Sequence, residues 1–435
     1  MMERTSQAGQ SYIILAILMV GMLAFSALAL DGGMLLTEHR RSQNAADAAA
    51  LAAAYAKIKG GTPFGIAALN TAANNEYPTT AQACDPPGLD CILGVGPDLA
   101  IQVSSPPRDG DYAGDPNYIH VLIETKLETS FAHLVFAGKL SNQAEAVVRV
   151  WPAQSYTPGY AIYAVTEHDC KGVWFSGTGD TYIDGGGVFS NSDAASSSCQ
   201  SGVQGGGGAI TVNPPHGIDV VGTFDMGGSG AVNPAPNEFV PPNYIRPMPV
   251  PDCSALPDQG KLKINSSNAV TVTPGRYEEI SINANADVTF EPGMYCVYGS
   301  KGVKGTGGTV TGSGVFFYLT DGGFDLGGST LVQIAAEQNE GVLVDPSHND
   351  WKGMLIYLSP GNSNPVHVTG NSNTFYTGTI YAPASEVTLE GTGDTIGVNA
   401  QVIGFTVKIT GNAELDVQYE ENKNYYLPPA IDLAK

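Results

Sequence analysis

The first sixty residues combine an uninterrupted apolar stretch with a long alanine-rich one. Residues 12–30 form a run of nineteen residues without a charged side chain. At a rise of about 1.5 Å per residue, such a helix is roughly 28 Å long, which matches the hydrocarbon core of a bilayer. The helical pattern continues until Gly60, Gly61 and Pro63 stop it. We therefore expect one continuous helix over about residues 10–59, with a cytoplasmic tip, a transmembrane span at 12–30 and an upper half outside the membrane.

Two other interpretations of this stretch compete with a membrane anchor. Ala27, Leu28 and Ala29 form a small-residue site of the kind found where signal peptides are cleaved. However, the apolar run is longer than the usual core of a signal peptide, and the helical pattern crosses the would-be cleavage site. A buried core helix is the other option, although apolar runs in such helices are usually shorter.

Downstream of the helix, alternation of apolar and polar residues predicts three strands. These are residues 99–103, 118–123 and 144–150. Residues 61–98 read as a polar connection, and residues 130–136 as a short helix. Because so small a sheet needs a further apolar surface to be stable, we expect it to pack on the alanines of residues 45–59. Residues 61–152 are thus predicted to form a small α+β domain.

From residue 153 to residue 425 no helical period persists, and a glycine-led unit recurs instead. Each unit contains a Gly/Asn turn, a short threonine-led strand, another turn and an apolar strand. The units begin at Gly177, Gly305, Gly370 and Gly391. The last two lie 21 residues apart, a plausible length for one coil of a solenoid. We expect a mainly β fold, with a right-handed parallel β-helix over residues 153–425; the uneven spacing leaves a β-sandwich open.

A proline-rich segment interrupts this region. Residues 234–251 contain seven prolines, and proline lacks the backbone donor that a central strand requires. We expect these residues to form an extended strap on the flank of the solenoid or a hinge between two halves of it. The C-terminal tail, residues 426–435, is expected to leave the last coil and cover its exposed edge.

Composition and charge exclude some classes of function. The chain has 435 residues, of which 14% are charged, and its formal net charge is −22. The length suggests two or three domains, and the apolar, charge-poor composition does not fit a disordered chain. Because an acidic surface repels phosphate backbones, we expect no nucleic-acid partner.

Six cysteines are spread along the chain, and none forms a C-x-x-C pair. They are Cys84, Cys91, Cys170, Cys199, Cys253 and Cys296. Fifteen pairings are possible. Proximity in the sequence favours Cys84–Cys91, Cys170–Cys199 and Cys253–Cys296. Disulfides require an oxidising compartment, which would place most of the chain outside the cytoplasm. Six free thiols in a reducing cytosol is the alternative.

The sequence offers no clear catalytic, cofactor-binding or metal-binding residues. Carboxylates four residues apart occur as Asp180 with Asp184, Asp321 with Asp325, and Glu386 with Glu390. Such pairs are compatible with glycosidic cleavage, but no His/Arg cluster accompanies them to stabilise developing charge. The seven histidines lack metal-ligand spacing. We therefore expect no enzymatic activity and no cofactor, with a glycan-binding surface that includes Trp174 as an alternative.

The N-terminal region resembles a known family. Its most specific part is the string RRSQNAADAAALAAA, residues 40–54, which follows the apolar span. The residues that carry the resemblance are Asp31, Arg40, Arg41, Gln43, Asn44, Ala45, Ala46 and Asp47. Over about residues 8–60 the chain is similar to the N-terminus of TadG-like proteins of the tight-adherence (Flp) pilus system. The resemblance implies a single-pass envelope protein that takes part in pilus assembly or surface attachment.

The expected protein is a membrane-anchored, extracytoplasmic structural component of a Tad/Flp-type pilus, either an accessory or minor tip component or a surface adhesin. A long helix followed by a small sheet is also the layout of a pilin-like head. Its partners would be membrane lipid and, through the N-terminal helix, other envelope or pilus proteins, with surface glycans as a further option. Arg4 precedes the span while Arg40 and Arg41 follow it, so the positive-inside rule does not decide the orientation. An anchored polysaccharide-binding or polysaccharide-cleaving β-helix protein is the alternative.

Overall fold

A computed structural model describes residues 8–83, 91–130, 138–151, 154–195, 201–283, 285–327, 329–338, 351–370, 373–391 and 396–434. The chain forms two compact units. The first comprises the residues up to 153 together with those from 429 onward, and the second comprises residues 154–428. The second unit is therefore an insertion in the first.

The first unit contains two α-helices, α1 (Ala8–Lys59) and α2 (Phe64–Asn74). α1 confirms the expected long helix, and Gly60 and Gly61 follow it with φ values of 70° and 93°, a conformation that glycine adopts without strain. The sequence pattern did not predict α2, since residues 61–98 were expected to form a polar connection. α2 is short, and its buried face consists largely of glycine and alanine, so it shows little apolar periodicity.

Thirty-five strands are described, and they are numbered along the chain. The first seventeen are β1 (Thr80–Ala83), β2 (Cys91–Gly96), β3 (Leu99–Ser104), β4 (Tyr118–Leu127), β5 (Leu140–Trp151), β6 (Gln154–Ser155), β7 (Tyr160–Ala164), β8 (Val173–Phe175), β9 (Thr181–Asp184), β10 (Gly187–Ser190), β11 (Val203–Gly205), β12 (Ile210–Val212), β13 (Ile218–Val220), β14 (Phe224–Met226), β15 (Val232–Asn233), β16 (Asn237–Glu238) and β17 (Asp258–Ile264). The others are β18 (Val270–Val272), β19 (Gly275–Ile282), β20 (Asp287–Phe290), β21 (Gly293–Val297), β22 (Val303–Gly305), β23 (Thr309–Ser313), β24 (Val315–Leu319), β25 (Phe324–Leu326), β26 (Leu331–Ala335), β27 (Met354–Leu358), β28 (Val366–Gly370), β29 (Phe375–Thr377), β30 (Thr379–Gly391), β31 (Ile396–Asn399), β32 (Val402–Gly411), β33 (Leu415–Gln418), β34 (Tyr426–Leu427) and β35 (Ala430–Leu433). A short 3-10 helix, Glu421–Lys423, precedes β34.

The sheet of the first unit is antiparallel, with the order β1-β2-β3-β4-β5-β35. The three predicted strands are present as β3, β4 and β5, and the short helix predicted at 130–136 lies almost entirely outside the described residues. The C-terminal tail differs from expectation: β35 pairs with β5, with Ala430 opposite Trp151. The tail thus completes the sheet of the first unit and does not cover a coil of the second.

The second unit is built almost entirely from parallel strand pairs; among its described pairs only β6 with β34 is antiparallel. Three ladders run through it. The first is β17-β19-β21-β24-β27-β30-β32-β7-β10-β13-β16. The second is β17-β19-β22-β25-β28-β30-β32-β8-β11-β14. The third is β18-β20-β23-β26-β29-β31-β33-β9-β12-β15.

Long strands link the first two ladders. β19 and β30 each pair in both ladders, so the eight strands from β19 to β30 form a closed ring of parallel pairs. The expected 21-residue repeat is one step of the second ladder, since Gly370 pairs with Gly391, and Gly391 pairs in turn with Gly411. Parallel pairing throughout does not fit the antiparallel sheets of a β-sandwich.

The order of the ladders differs from the order of the chain. The last long strand, β32, pairs with β7 and β8 near the start of the unit. The chain therefore begins in the middle of the ladders, builds toward β16 at one end, crosses to β17 at the other end and returns to the middle. Residues 239–257 make that crossing, and we call them the strap. The strap extends beyond the proline-rich segment predicted at 234–251 and corresponds to the flanking alternative.

The strap covers a cluster rich in tyrosine on the first ladder. Met248 of the strap is buried there with Tyr163, Tyr357 and Tyr381. The Tyr156 hydroxyl donates a hydrogen bond to the carbonyl of strap residue Arg246 at 2.5 Å.

A disulfide joins Cys253 to Cys296 on β21 and fixes the end of the strap. Cys91 and Cys170 are also disulfide-bonded, while Cys84 and Cys199, their expected partners, lie outside the described residues.

Candidate functional site: the N-terminal helix and its docking motif

The two halves of α1 have opposite surroundings. Its first half presents large apolar side chains to the surface; Val20, Phe25 and Leu28 are 67%, 77% and 71% exposed. A contiguous apolar surface of this kind marks a binding or membrane-contacting region, not an ordinary water-facing surface. α1 is long and apolar enough to cross a membrane, and the most apolar part of it is not buried in the protein.

The second half of α1 is docked on the antiparallel sheet by alanines. Six of them are completely buried: Ala45, Ala46, Ala49, Ala50, Ala53 and Ala54. They pack in one cluster with apolar residues of β3, β4 and β5, among them Ile101, Val121 and Val148. Because a methyl group is the only side chain at each contact, the helix lies close to the sheet, and larger residues at these positions would not fit without displacing it.

Asp31 lies at the junction between the two halves. It is buried, and its Oδ1 accepts a hydrogen bond from the backbone N–H of Ser130 at 2.8 Å. A buried carboxylate needs such partners to offset the loss of hydration. The family residue Asp31 therefore ties the point where the apolar half ends to the segment that follows β4.

A buried polar network begins about two turns further along α1, around Asn142 of β5. The Asn142 side-chain amide donates to Ser42 Oγ at 2.9 Å and to Thr125 Oγ1 at 3.2 Å, and its Oδ1 lies 2.9 Å from His39 Nδ1. Ser42, Thr125 and Asn142 are all buried. The network sets the position of the helix along the sheet, because a shift of one residue would leave these groups unpaired.

Gln43 and Asp47 form a second link. Gln43 Nε2 donates to the backbone carbonyl of Glu145 at 2.8 Å and to Asp47 Oδ1 at 2.9 Å. The two family residues thus act together, with Asp47 orienting the amide that reaches the sheet.

Two charged residues of α1 bind residues that follow α2. Arg41 forms an ion pair with Glu76, and both side chains are exposed. Tyr77 Oη donates to Glu38 Oε1 at 2.9 Å. Burial, together with this bond to a carboxylate, raises the pKa of Tyr77 well above its usual range. Arg40 and Asn44 are exposed.

The predicted family residues therefore divide into three groups. Gln43, Ala45, Ala46 and Asp47 hold the helix on the sheet. Asp31 and Arg41 bind the segments that follow β4 and α2, and Arg40 and Asn44 are exposed. The partners on the sheet were not predicted: Asn142, Thr125 and Glu145. Local sequence carries no signal for them, because polar residues at alternate strand positions normally indicate a water-facing side.

Four of the six carboxylates considered as catalytic candidates lie on strands of the second unit: Asp184 ends β9, Asp325 lies on β25, and Glu386 and Glu390 lie on β30. Asp180 Oδ1 accepts the N–H of Ala209 at 2.8 Å, Asp184 Oδ1 that of Gly185 at 3.0 Å, and Asp321 Oδ1 that of Gly322 at 2.7 Å. The bonds of Asp184 and Asp321 to the next residue are local backbone bonds of the kind that aspartate makes in turns, whereas Asp180 binds a residue 29 positions later in the chain. Among the described residues, no group of three or more His, Cys, Asp and Glu side chains is arranged to hold a metal ion.

Two lysines contact Trp174, the candidate glycan-binding residue. Lys171 Nζ is 4.1 Å and Lys408 Nζ 4.7 Å from the centre of the indole ring. A sugar that stacks on a face held by a lysine would compete with that cation–π contact.

Comparison with known proteins identifies the region around α1. Residues 9–56 match the family model described as Flp pilus-assembly TadE/G-like. The match covers the apolar half, the motif and the alanine face, and ends within the last turn of α1. No curated protein and no solved structure matches the chain. The N-terminal segment of this protein, residues 9–56, is a TadE/G-like Flp pilus-assembly domain.

Proposed function

We propose that the protein is a single-pass, membrane-anchored component of a Tad/Flp-type pilus system, acting as an accessory or minor tip component or as a surface adhesin. The observation that carries the proposal is the division of α1. Its exposed apolar half has the length of a bilayer span, while its alanine half is packed on a folded domain. Through the apolar half the protein would contact lipid and other envelope or pilus proteins.

We place most of the chain outside the cytoplasm. The disulfide between Cys253 and Cys296 supports this orientation, because structural disulfides persist in oxidising compartments. Arg40 and Arg41 follow the span and Arg4 precedes it, so the positive-inside rule does not support this orientation. The disulfide is the observation that carries it.

We further propose that the ladders of the second unit are the coils of a right-handed β-helix with a structural, non-enzymatic role. Parallel crossovers are right-handed almost without exception. Three roughly equivalent parallel ladders support coiling of this kind. The backbone N–H groups bound by Asp180, Asp184 and Asp321 favour a structural role for these carboxylates.

Membrane extraction tests the anchor. We expect the full chain to remain in the membrane fraction in alkaline carbonate and to become soluble in detergent. A variant with Leu18→Arg and Leu23→Arg should move to the soluble fraction, since each charge at the centre of a span costs about 2.5–3.5 kcal/mol on insertion scales.

The matched control is Leu51→Arg, which adds a charge to the surface of the alanine half, where Leu51 is 39% exposed. This variant should stay in the membrane. Release of the unchanged protein by carbonate alone would refute the anchor. Digestion of the second unit only after the inner membrane is opened would refute the orientation.

A further inference from the structure

The antiparallel sheet of the first unit has a cavity on the face that α1 does not cover. α1 packs in one cluster with Ile119, Val121 and Ile123 of β4, so the alternate side chains of β4 point to the opposite face of the sheet. On that face, residues of the connection between β3 and β4, together with residues of β4 and β5, line a cavity of about 560 Å³. This volume lies in the range of sites that bind small ligands.

The cavity is lined by carboxylates from two directions. Asp109 and Asp111 belong to the connection between β3 and β4, whereas Glu124 and Glu145 belong to the strands. None of the described lining residues is a lysine or an arginine, and Arg108 of the same connection is exposed and does not line the cavity. The interior of the cavity is therefore strongly negative and favours a positively charged ligand.

The same cavity also has an apolar part. Leu122 of β4 and Val147 of β5 both line it. In the pairing of the two strands, Leu122 lies opposite Glu145, and His120 lies opposite Val147. An apolar side chain thus stands across from a polar one at both positions. A ligand that fills this space needs a cationic group and an apolar stem beside it.

His120 has a nitrogen that lacks a hydrogen-bond partner. The residue is only 6% exposed and lines the cavity. Its Nε2 lies 3.2 Å from Glu145 Oε2, whereas its Nδ1 lies 3.6 Å from Asp109 Oδ1, which is too far for a hydrogen bond, and has no other partner among the described residues. With the ring proton on Nε2, facing Glu145, Nδ1 and the Asp109 carboxylate are two neighbouring acceptors. A donor between them would satisfy both.

The wall formed by the connection between β3 and β4 is held in place. The Gly114 N–H donates a hydrogen bond to the Pro107 carbonyl at 2.9 Å. The Tyr112 ring stacks on the Tyr118 ring of β4, with 4.2 Å between the ring centres. The Arg149 guanidinium lies 5.5 Å from the centre of the Tyr118 ring, a further contact that fixes this aromatic pair. A preformed cavity binds a ligand without the cost of ordering its wall.

We propose that this cavity, which we call the acidic cavity, binds a cationic group on an aliphatic stem, that is, an alkylguanidinium or an alkylammonium. Its N–H groups donate to the carboxylates and to His120 Nδ1, and its stem lies on Leu122 and Val147. A metal ion fits less well, because within the described part of the chain no three His, Cys, Asp or Glu side chains are arranged to hold one. An arginine or lysine side chain of a partner protein has this chemistry, and so does a free amine.

Calorimetric titration of the full-length protein in nonionic detergent micelles tests the ligand class. The probes are agmatine, which is a free alkylguanidinium, and a capped glycine–arginine–glycine tripeptide. The matched control is the same tripeptide with citrulline, which has the shape of arginine without its charge. We expect both cationic probes to bind about ten-fold or more tightly than the citrulline peptide. Tighter binding of the arginine peptide than of agmatine assigns the acidic cavity to a partner's side chain, and the reverse order assigns it to a free amine.

Neutral substitutions of similar size locate the binding site. Asp109→Asn and Glu124→Gln each remove one carboxylate of the acidic cavity and should each weaken agmatine binding about five-fold or more. Glu128→Gln is the matched control, because it removes the same charge from an exposed residue that follows β4 and does not line the cavity. This control should bind agmatine as the unchanged protein does. Unfolding temperatures of the three variants establish that they are folded.

Equal affinity for the citrulline and arginine peptides would overturn the proposal, as would the absence of binding of either cationic probe at millimolar concentration. Binding that Asp109→Asn and Glu124→Gln leave unchanged, or that Glu128→Gln weakens equally, would also overturn it, since the cation would then bind elsewhere. None of these outcomes affects membrane extraction, so the acidic cavity can fail while the proposed anchor stands.

Discussion

Ser42 and Asn142, one hundred residues apart in the chain, share a buried hydrogen bond of 2.9 Å. Ser42 lies in the motif of α1 and Asn142 on the strand beneath it. The bond therefore gives a structural role to Ser42, a buried polar residue shortly before the alanine run. The motif docks α1 on the sheet. The alanines permit close approach of the helix to the sheet, and Ser42 and Gln43 set the position of the helix along it.

Asn142→Ala should destabilise the first unit by about 2–3 kcal/mol, because Ser42 and Thr125 lose a partner while remaining buried. Chemical unfolding, or protease sensitivity of the first unit within the full chain, measures the change. The control is Gln143→Ala at the neighbouring exposed position, whose side chain bonds to Glu124 on the surface. The free energy of unfolding of this control should stay within about 0.5 kcal/mol of that of the unchanged protein. Equal effects of the two substitutions would show that the network does not position the helix.

The alanine face predicts a size limit on α1. Ala49→Leu places three additional carbons into a contact that is completely buried and should destabilise the first unit by about 1–3 kcal/mol through overpacking. Asn44→Leu is the matched control, since it adds a leucine at an exposed position of the same helix. Thermal unfolding should separate the two variants, and a fully stable Ala49→Leu protein would contradict close packing of the helix on the sheet.

Patterns within a few residues predicted much of this fold. The long helix, its end at Gly60 and the three strands of the first sheet follow from periodicity and stop signals. The 21-residue step from Gly370 to Gly391 was also predicted, because one coil of the chain brings these two glycines opposite each other. Such features depend on neighbouring residues or on one repeat length.

Contacts between distant segments could not be predicted in the same way. Val407 pairs with Val173, more than two hundred residues earlier, and both lie in short apolar strands like many others in this region. No local feature distinguishes the strand that meets β7 from the strands that do not. For the same reason Asn142, which lies just before the strand predicted at 144–150, was not singled out, although its side chain is the centre of the docking network.

The stability of the strap should depend on the disulfide between Cys253 and Cys296. The bond between Cys253 and Cys296 closes a loop of 43 residues, and removing it should cost about 4 kcal/mol in the chain-entropy description. Replacing both cysteines by serine should lower the unfolding temperature and speed chymotrypsin cleavage after Phe239 and Tyr244, which are 69% and 72% exposed. The control is the unchanged protein without reductant. If cleavage rates do not differ, the strap is held by its side-chain contacts alone.

The tyrosines under the strap predict a loss of stability at alkaline pH. Burial raises the pKa of Tyr156, Tyr163, Tyr357 and Tyr381 above the usual value, which is about 10 in an unfolded chain. Because the folded pKa is the higher one, the stabilisation is complete below about pH 10 and declines as the pH rises further, by up to about 1.4 kcal/mol per pH unit for each tyrosine.

Denaturant unfolding at increasing pH, with tyrosinate absorbance recorded in parallel, measures this decline. Tyr156→Phe should make the decline shallower, whereas Tyr244→Phe, at an exposed strap position, should not change it. Tyrosinate absorbance that reaches its full value while the second unit is still folded would show that water reaches these hydroxyls beneath the strap.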